Sequence, residues 1–199
     1  MVMATRARNN TRARTRPSAV PKARPWTRAD LNSLPDDGNR YEVLDGCLLV
    51  TPQASLAHQY VAFELAIMLE HFVRHHGVAH VVGPGAVPFK KNELQPDVQV
   101  IPGRRRLSTW DDAPSPILVV EVLSQSTRHR DFGVKLDAYL NRVNVPTVWV
   151  VDRKKREVHV CVRGALPRIE RQSLEWHPPG APEPLRIDLH AFFVSALGE

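Results

Sequence analysis

The segment Ile117-Leu118-Val119-Val120-Glu121-Val122-Leu123 limits the fold more than any other stretch of the chain. Both faces that a strand would present are apolar, apart from one glutamate. Such a strand is stable only inside a sheet that is covered on two sides. The flanking sequence supplies the covers. Ala62, Leu65, Ala66, Leu69, Phe72 and Val73 recur at spacings of three and four, which predicts a helix over 56–75 with Ser55 as N-cap and Gly77 as the stop. A second helix is expected over 128–141, with Phe132, Leu136, Tyr139 and Leu140 inward. Residues 41–50 read as a hairpin about Asp45-Gly46, a pair suited to a type I′ turn because both central residues need positive φ. Strands are also expected over 78–82, 86–89, 95–101, 147–151 and 157–162. Short helices fit 27–34, capped by Thr27, and 189–197, with an edge strand and a Pro-rich loop after Gly164. The order predicts an α/β domain with a mixed central β-sheet flanked by helices.

Length and composition agree with one such domain. The chain has 199 residues, 43% of them hydrophobic, which is enough for a sizeable core. No run of about 18 apolar residues occurs, so no membrane helix is expected and the default location is cytoplasmic. Two cysteines exclude a disulfide scaffold and a four-cysteine zinc site within one chain. The net charge of +6 is local. Residues 1–28 hold eight of the 27 basic residues and no acid, leaving 19 basic against 21 acidic residues beyond them. We therefore expect a disordered basic arm over 1–25 and the folded domain over 26–199. Such an arm suits phosphate contact or plain solubility. It is Arg-rich and acid-free like a mitochondrial transit peptide, but it lacks the apolar core of a secretory signal.

Glu121 is the residue that needs an explanation. Burying a carboxylate costs several kcal/mol or more (an order-of-magnitude figure) unless it is paired or binds a metal. A structural salt bridge is the simple reading; a metal site is the functional one. Asp97 repeats the problem in Pro96-Asp97-Val98-Gln99-Val100, where Val98 and Val100 take one face. Together, Asp97 and Glu121 are candidate Mg²⁺ ligands, since that ion favours oxygen donors. Lys135 flanks the inner stripe of the second helix. It either reaches a metal-bound water or a transition-state phosphate oxygen, or pairs with Asp131 and stays at the surface. Glu42, in the hairpin, is a candidate third carboxylate or an ordinary edge-strand charge. His58 is in register with Ala62 and Leu65 and should face inward. His71, His75, His76 and His80 cluster at the end of the first helix, more in the manner of a C-terminal decoration than of a metal site. Walker A, G-x-S-x-G, G-x-G-x-x-G and H-E-x-x-H motifs are absent, which leaves P-loop, serine-hydrolase, Rossmann and zincin chemistry without support.

At these residues a family resemblance emerges. Ala29-Asp30-Leu31, Leu34-Pro35, Arg40-Tyr41-Glu42-Val43-Leu44-Asp45-Gly46, the helix with His58, Pro96-Asp97, Glu121-Val122-Leu123-Ser124-Gln125-Ser126-Thr127, Asp131, Lys135, Tyr139 and Val148-Trp149-Val150-Val151-Asp152 follow one another in order. The ordered set resembles the Uma-two family of putative restriction endonucleases, within the PD-(D/E)XK nuclease superfamily, over roughly 26–195. The resemblance implies a restriction-endonuclease-like fold and metal-dependent cleavage of DNA phosphodiesters. It implies Asp97 and Glu121 as metal ligands, Glu42 as an accessory ligand and Mg²⁺ as the cofactor, with Mn²⁺ as the substitute. The superfamily lysine would stand two positions after the glutamate, where this chain has Leu123; Lys135 matches a lysine displaced to the next helix.

DNA is the expected partner, through Arg104, Arg105 and Arg106, Arg128 and Arg130, Lys154 to Arg156, and His58. A homodimer suits the cutting of two strands. Two alternatives stand beside this reading. One is a non-catalytic nuclease-like module that binds nucleic acid or protein; the other is a metal-dependent hydrolase of another class.

Overall fold

The computed structural model describes residues 24–103, 109–124 and 131–198, without the side chains of Asp131 and Phe132. The expected basic loops at Arg104–106 and at Arg128 and Arg130 lie outside these residues, as do most of the expected arm and the inward placement of Phe132.

After a 3₁₀ turn (Arg28–Ser33) come β1 (Arg40–Leu44), β2 (Cys47–Thr51), α1 (Leu56–His75), β3 (Ala79–Val82), β4 (Val87–Phe89), β5 (Asn92–Leu94), β6 (Val98–Pro102) and β7 (Leu118–Val122). Two π-helical segments (Asp131–Lys135 and Ala138–Val143) follow, then β8 (Thr147–Asp152), β9 (Glu157–Val162), β10 (Arg168–Glu170), β11 (Ser173–Trp176), β12 (Leu185–Asp188) and α2 (Leu189–Leu197). The large sheet has the order β10-β9-β8-β7-β6-β3, and only β7 and β8 run parallel. A smaller sheet has the order β2-β1-β5-β4, and β11 pairs with β12.

β7 lies inside the large sheet and is buried along its whole length, as its two apolar faces require. Val120 and Val122 face a core shared with Leu65 and Leu69 of α1 and with Phe192 and Phe193 of α2. Val119 faces the other core, with Val148, Val150 and Cys161 of the neighbouring strands. Tyr139, Leu140 and Val143 cover that side, together with Leu44, Val87 and Leu94 of the small sheet. The inner face of α1 is Val61, Ala62, Leu65, Leu69 and Val73, with Ala66 and Phe72 partly covered. Ser55 caps this helix by accepting from the His58 amide.

Three elements differ from expectation. The second helix is π-helical on both sides of residues 136–137, and Gly133 leaves helical geometry at φ −107°, ψ −106°. Glycine has no Cβ to bar that conformation, so the periodicity of the side chains does not fix the backbone there. β5 is too short to show a period of two. β11 and β12 form a hairpin in what read as edge strand and loop; only Leu174, Trp176 and Ile187 of it are buried, too sparse a pattern to register.

At the open margin of the large sheet, the Val81 amide of β3 donates to Glu70 Oε2 of α1 at 2.8 Å. The described helices include none long and apolar enough to cross a membrane. A groove of about 660 Å³, lined by residues that include Phe63, Ile67, His71, Arg74 and Val81, runs beside this margin.

The hairpin turn forms as the sequence demands, with Asp45 at φ 52° and Gly46 at φ 78°. A Cβ on Gly46 would sit 2.8 Å from Pro25 Cβ. Asp45 also receives both arms of the Arg142 guanidinium, at 2.7 and 2.9 Å, which ties the π-helical segment to the small sheet. We expect Gly46→Ala to lower stability by about 1–3 kcal/mol, the range for a strained left-handed residue. Urea denaturation checks this, and an unchanged midpoint would refute it.

Candidate active site

Where the small sheet meets the end of the large one, four charged side chains share a single buried cluster. Glu42, Asp97, Glu121 and Lys135 are each 1–4% exposed. β6 and β7 place Val98 opposite Val120, so one further step of the same antiparallel register sets Asp97 beside Glu121. Glu121 breaks the apolar run of β7 because its side chain meets a cation there. Lys135 Nζ stands 2.8 Å from Glu121 Oε1 and 3.0 Å from Glu42 Oε1. The two acids come from different sheets, and the ammonium joins them. Tyr139, one helical turn beyond Lys135, donates its hydroxyl to the same Glu121 oxygen at 2.8 Å. Burial, and then the Glu121 charge, raise the Tyr139 pKa well above the usual phenol range, so the hydroxyl remains a donor. Glu42 Oε1 also accepts from the Gln95 amide at 2.8 Å, which fixes its carboxylate.

Asp97 is held separately. Oδ1 accepts from Arg40 Nη1 at 2.9 Å, and Oδ2 accepts from the Val122 amide at 2.8 Å. His58 Nε2 lies 3.2 Å from Oδ2, while its buried Nδ1 has no hydrogen-bond partner among the described residues. Burial pushes the Asp97 carboxyl up. The His58 hydrogen bond, the Arg40 charge and the Val122 amide outweigh it and bring the pKa down to about 2. Burial likewise disfavours charge on Arg40, and the carboxylates of Asp97, Glu121 and Glu42 more than compensate, so its pKa is raised.

The four residues singled out from the sequence therefore come together. Lys135 takes its buried alternative: it bridges two acids and does not lie along the surface. His58 faces inward as expected, 4% exposed and turned onto Asp97. The sequence reading gave no role to Arg40 and did not give Tyr139 its hydroxyl bond. The signals were present: Arg40 is two residues from Glu42 on one strand, and Tyr139 is one turn from Lys135, so each pair shares a face.

Three carboxylates, on β1, on β7 and just before β6, are the donor type that a hard divalent cation takes. In donor chemistry the residues fit such an ion. In their present positions Lys135 and Arg40 occupy the carboxylate oxygens. Among the described residues, no three His, Cys, Asp or Glu side chains are grouped closely enough to hold a metal. The groove beside α1 is lined by none of Glu42, Asp97, Glu121 and Lys135.

A mixed six-stranded sheet flanked by helices is the α/β class that the sequence predicts. The chain belongs to the Uma2 family, whose model, described as "Putative restriction endonuclease", matches residues 28–190 and so spans every member of the cluster. A solved structure with the same fold is that of "a putative nuclease belonging to DUF820" from Anabaena variabilis ATCC 29413. It superposes with a TM-score of 0.72 at 18% identity and covers 87% of this chain and 100% of its own. No curated protein matches the chain.

An aspartate whose pKa falls from 3.8 to about 2 on folding adds stability above pH 4. That stability, on the order of 2 kcal/mol, is lost as pH falls through the folded value. Asp97→Asn should therefore flatten the loss of stability between about pH 4 and pH 2. Denaturant titrations of both proteins across that range test this, and superimposable acid limbs would contradict it.

Proposed function

We propose that this protein is a metal-dependent endonuclease that hydrolyses DNA phosphodiester bonds. The observation that carries the proposal is the convergence of Glu42, Asp97 and Glu121 with Lys135 in one buried cluster. Membership of the family supports a nuclease, hence a nucleic acid substrate. Asp97 and Glu121, with Glu42 beside them, would hold Mg²⁺ or Mn²⁺. The ion supplies Lewis acidity that activates water and stabilises charge on the phosphate.

The chain's own groups do the rest. The Val122 amide and Arg40 fix Asp97 in its ionised form. Tyr139 aims Glu121, and the Gln95 amide aims Glu42. Lys135 brings a positive charge to the point where two acids meet, suited to neutralising a developing phosphate charge or placing the water. Phosphate contacts away from the cluster fall to the basic loops, including the β8–β9 turn that carries Lys154 and Lys155. The proposal includes the arm over 1–25 as a further electrostatic contact, a cytoplasmic setting, and two copies acting together on a duplex.

Purified wild type should nick or cut plasmid DNA with Mg²⁺ or Mn²⁺ and stop when the metal is chelated. Asp97→Asn and Glu121→Gln should each lower the rate by at least about 100-fold, the scale of losing a group that acts on the reacting phosphate. Lys135→Ala should also lose activity. It should also destabilise the fold by about 3–5 kcal/mol, because it leaves two buried acids without their cation. Equal cleavage by wild type and both carboxylate variants would sink the catalytic assignment and leave a nuclease-like binding module.

A further inference from the structure

A tryptophan outside the ionic cluster has the placement of a recognition surface. Trp110 is 40% exposed, whereas Trp149 and Trp176 are buried in the core. It is not a loosely held surface ring. Its Cη2 and Cζ2 atoms close over Gly85, where a Cβ would lie 2.4 and 2.7 Å from them. Its backbone is tied down on both sides. Thr109 Oγ1 donates to Asp112 at 2.7 Å, and Asp111 pairs with Arg28, which also lies 3.6 Å from Glu93 of β5. β5 pairs with β1, the strand that carries Glu42.

A second route leads to the cluster from Gly85. The buried Gln99 donates its Nε2 to the Gly85 carbonyl at 3.1 Å, and that nitrogen lies 3.1 Å from the same Cβ position under the indole. Gln99 stands two residues along the chain from Asp97, so on an extended strand the two side chains share a face. The indole is thus packed against Gly85, partly open to solvent, and joined through Gly85 and Gln99 to the strand that follows an acid of the cluster.

We propose that Trp110 is a stacking platform for an unpaired nucleobase of the substrate strand. The proposal rests on the nuclease reading and adds a substrate form to it: the strand beside the cut is held single-stranded or with one base turned out. Stacking on an aromatic ring accepts any base, so the platform would register position and strandedness, not sequence. Gly85 is the residue that lets the ring sit there, since any side chain would displace it.

The test is equilibrium binding of a single DNA strand of about twelve nucleotides, and of its duplex, in EDTA, where cleavage does not interfere. Trp110→Ala should weaken single-strand binding roughly 5- to 100-fold, the range of one base–aromatic stack. Trp110→Phe should stay within about threefold, and duplex affinity should move less than about twofold. Gly85→Ala should behave like Trp110→Ala. An abasic nucleotide scanned along the strand should reveal one position that weakens wild type and leaves Trp110→Ala unaffected, which a merely structural role would not produce. Single-strand affinity unchanged in Trp110→Ala, or an abasic scan identical in both proteins, would overturn the platform. Wild type that binds neither DNA form would be a failure of the nuclease reading itself, and that result is seen without any variant.

Discussion

The Lys135 ammonium is the contact on which the arrangement of the whole domain turns. Its two short ion pairs reach Glu42 in the small sheet and Glu121 in the large one, from a helix that packs across both. Burying two carboxylates would be prohibitive without this cation, and burying the lysine would be equally so without them. The three charges therefore specify one another's positions. The apolar contacts of Leu44, Val87 and Leu94 against the large sheet supply adhesion, and the ionic bridge supplies register. Tyr139 reinforces the same choice, since its hydroxyl meets an acceptor only if Glu121 has already turned toward Lys135.

Asp97 follows a different logic. It draws on an arginine, a histidine and a main-chain amide, and so is ionised by its own surroundings whatever Lys135 does. The cluster thus contains one acid held by an arginine, a histidine and an amide, and two acids that share one ammonium.

Much of this was readable from the chain because burial leaves a signature in composition. β7 and α1 were legible from apolar periodicity, and the hairpin from Asp45-Gly46. Glu121 drew attention because it was the one charge in a run where none is tolerated unpaired. What stayed hidden was set by long-range geometry. No local pattern says that Lys135 meets Glu42, 93 residues away, or that Arg40 takes Asp97 at a separation of 57. The π-helical winding escaped because it changes which carbonyl each amide meets while leaving the apolar spacing nearly intact. It also falls where Lys135 and Tyr139 enter the cluster, and such winding is often found at functional sites.

The bond from Val81 to Glu70 has a consequence beyond local geometry. A β-sheet that ends in an open ladder invites the next molecule to continue it. Here the first vacant rung is already taken by a carboxylate from the adjoining helix. An incoming strand would have to evict that acid and leave its charge against its own carbonyls. The β3 margin of the large sheet is therefore guarded against continuation by a single side chain.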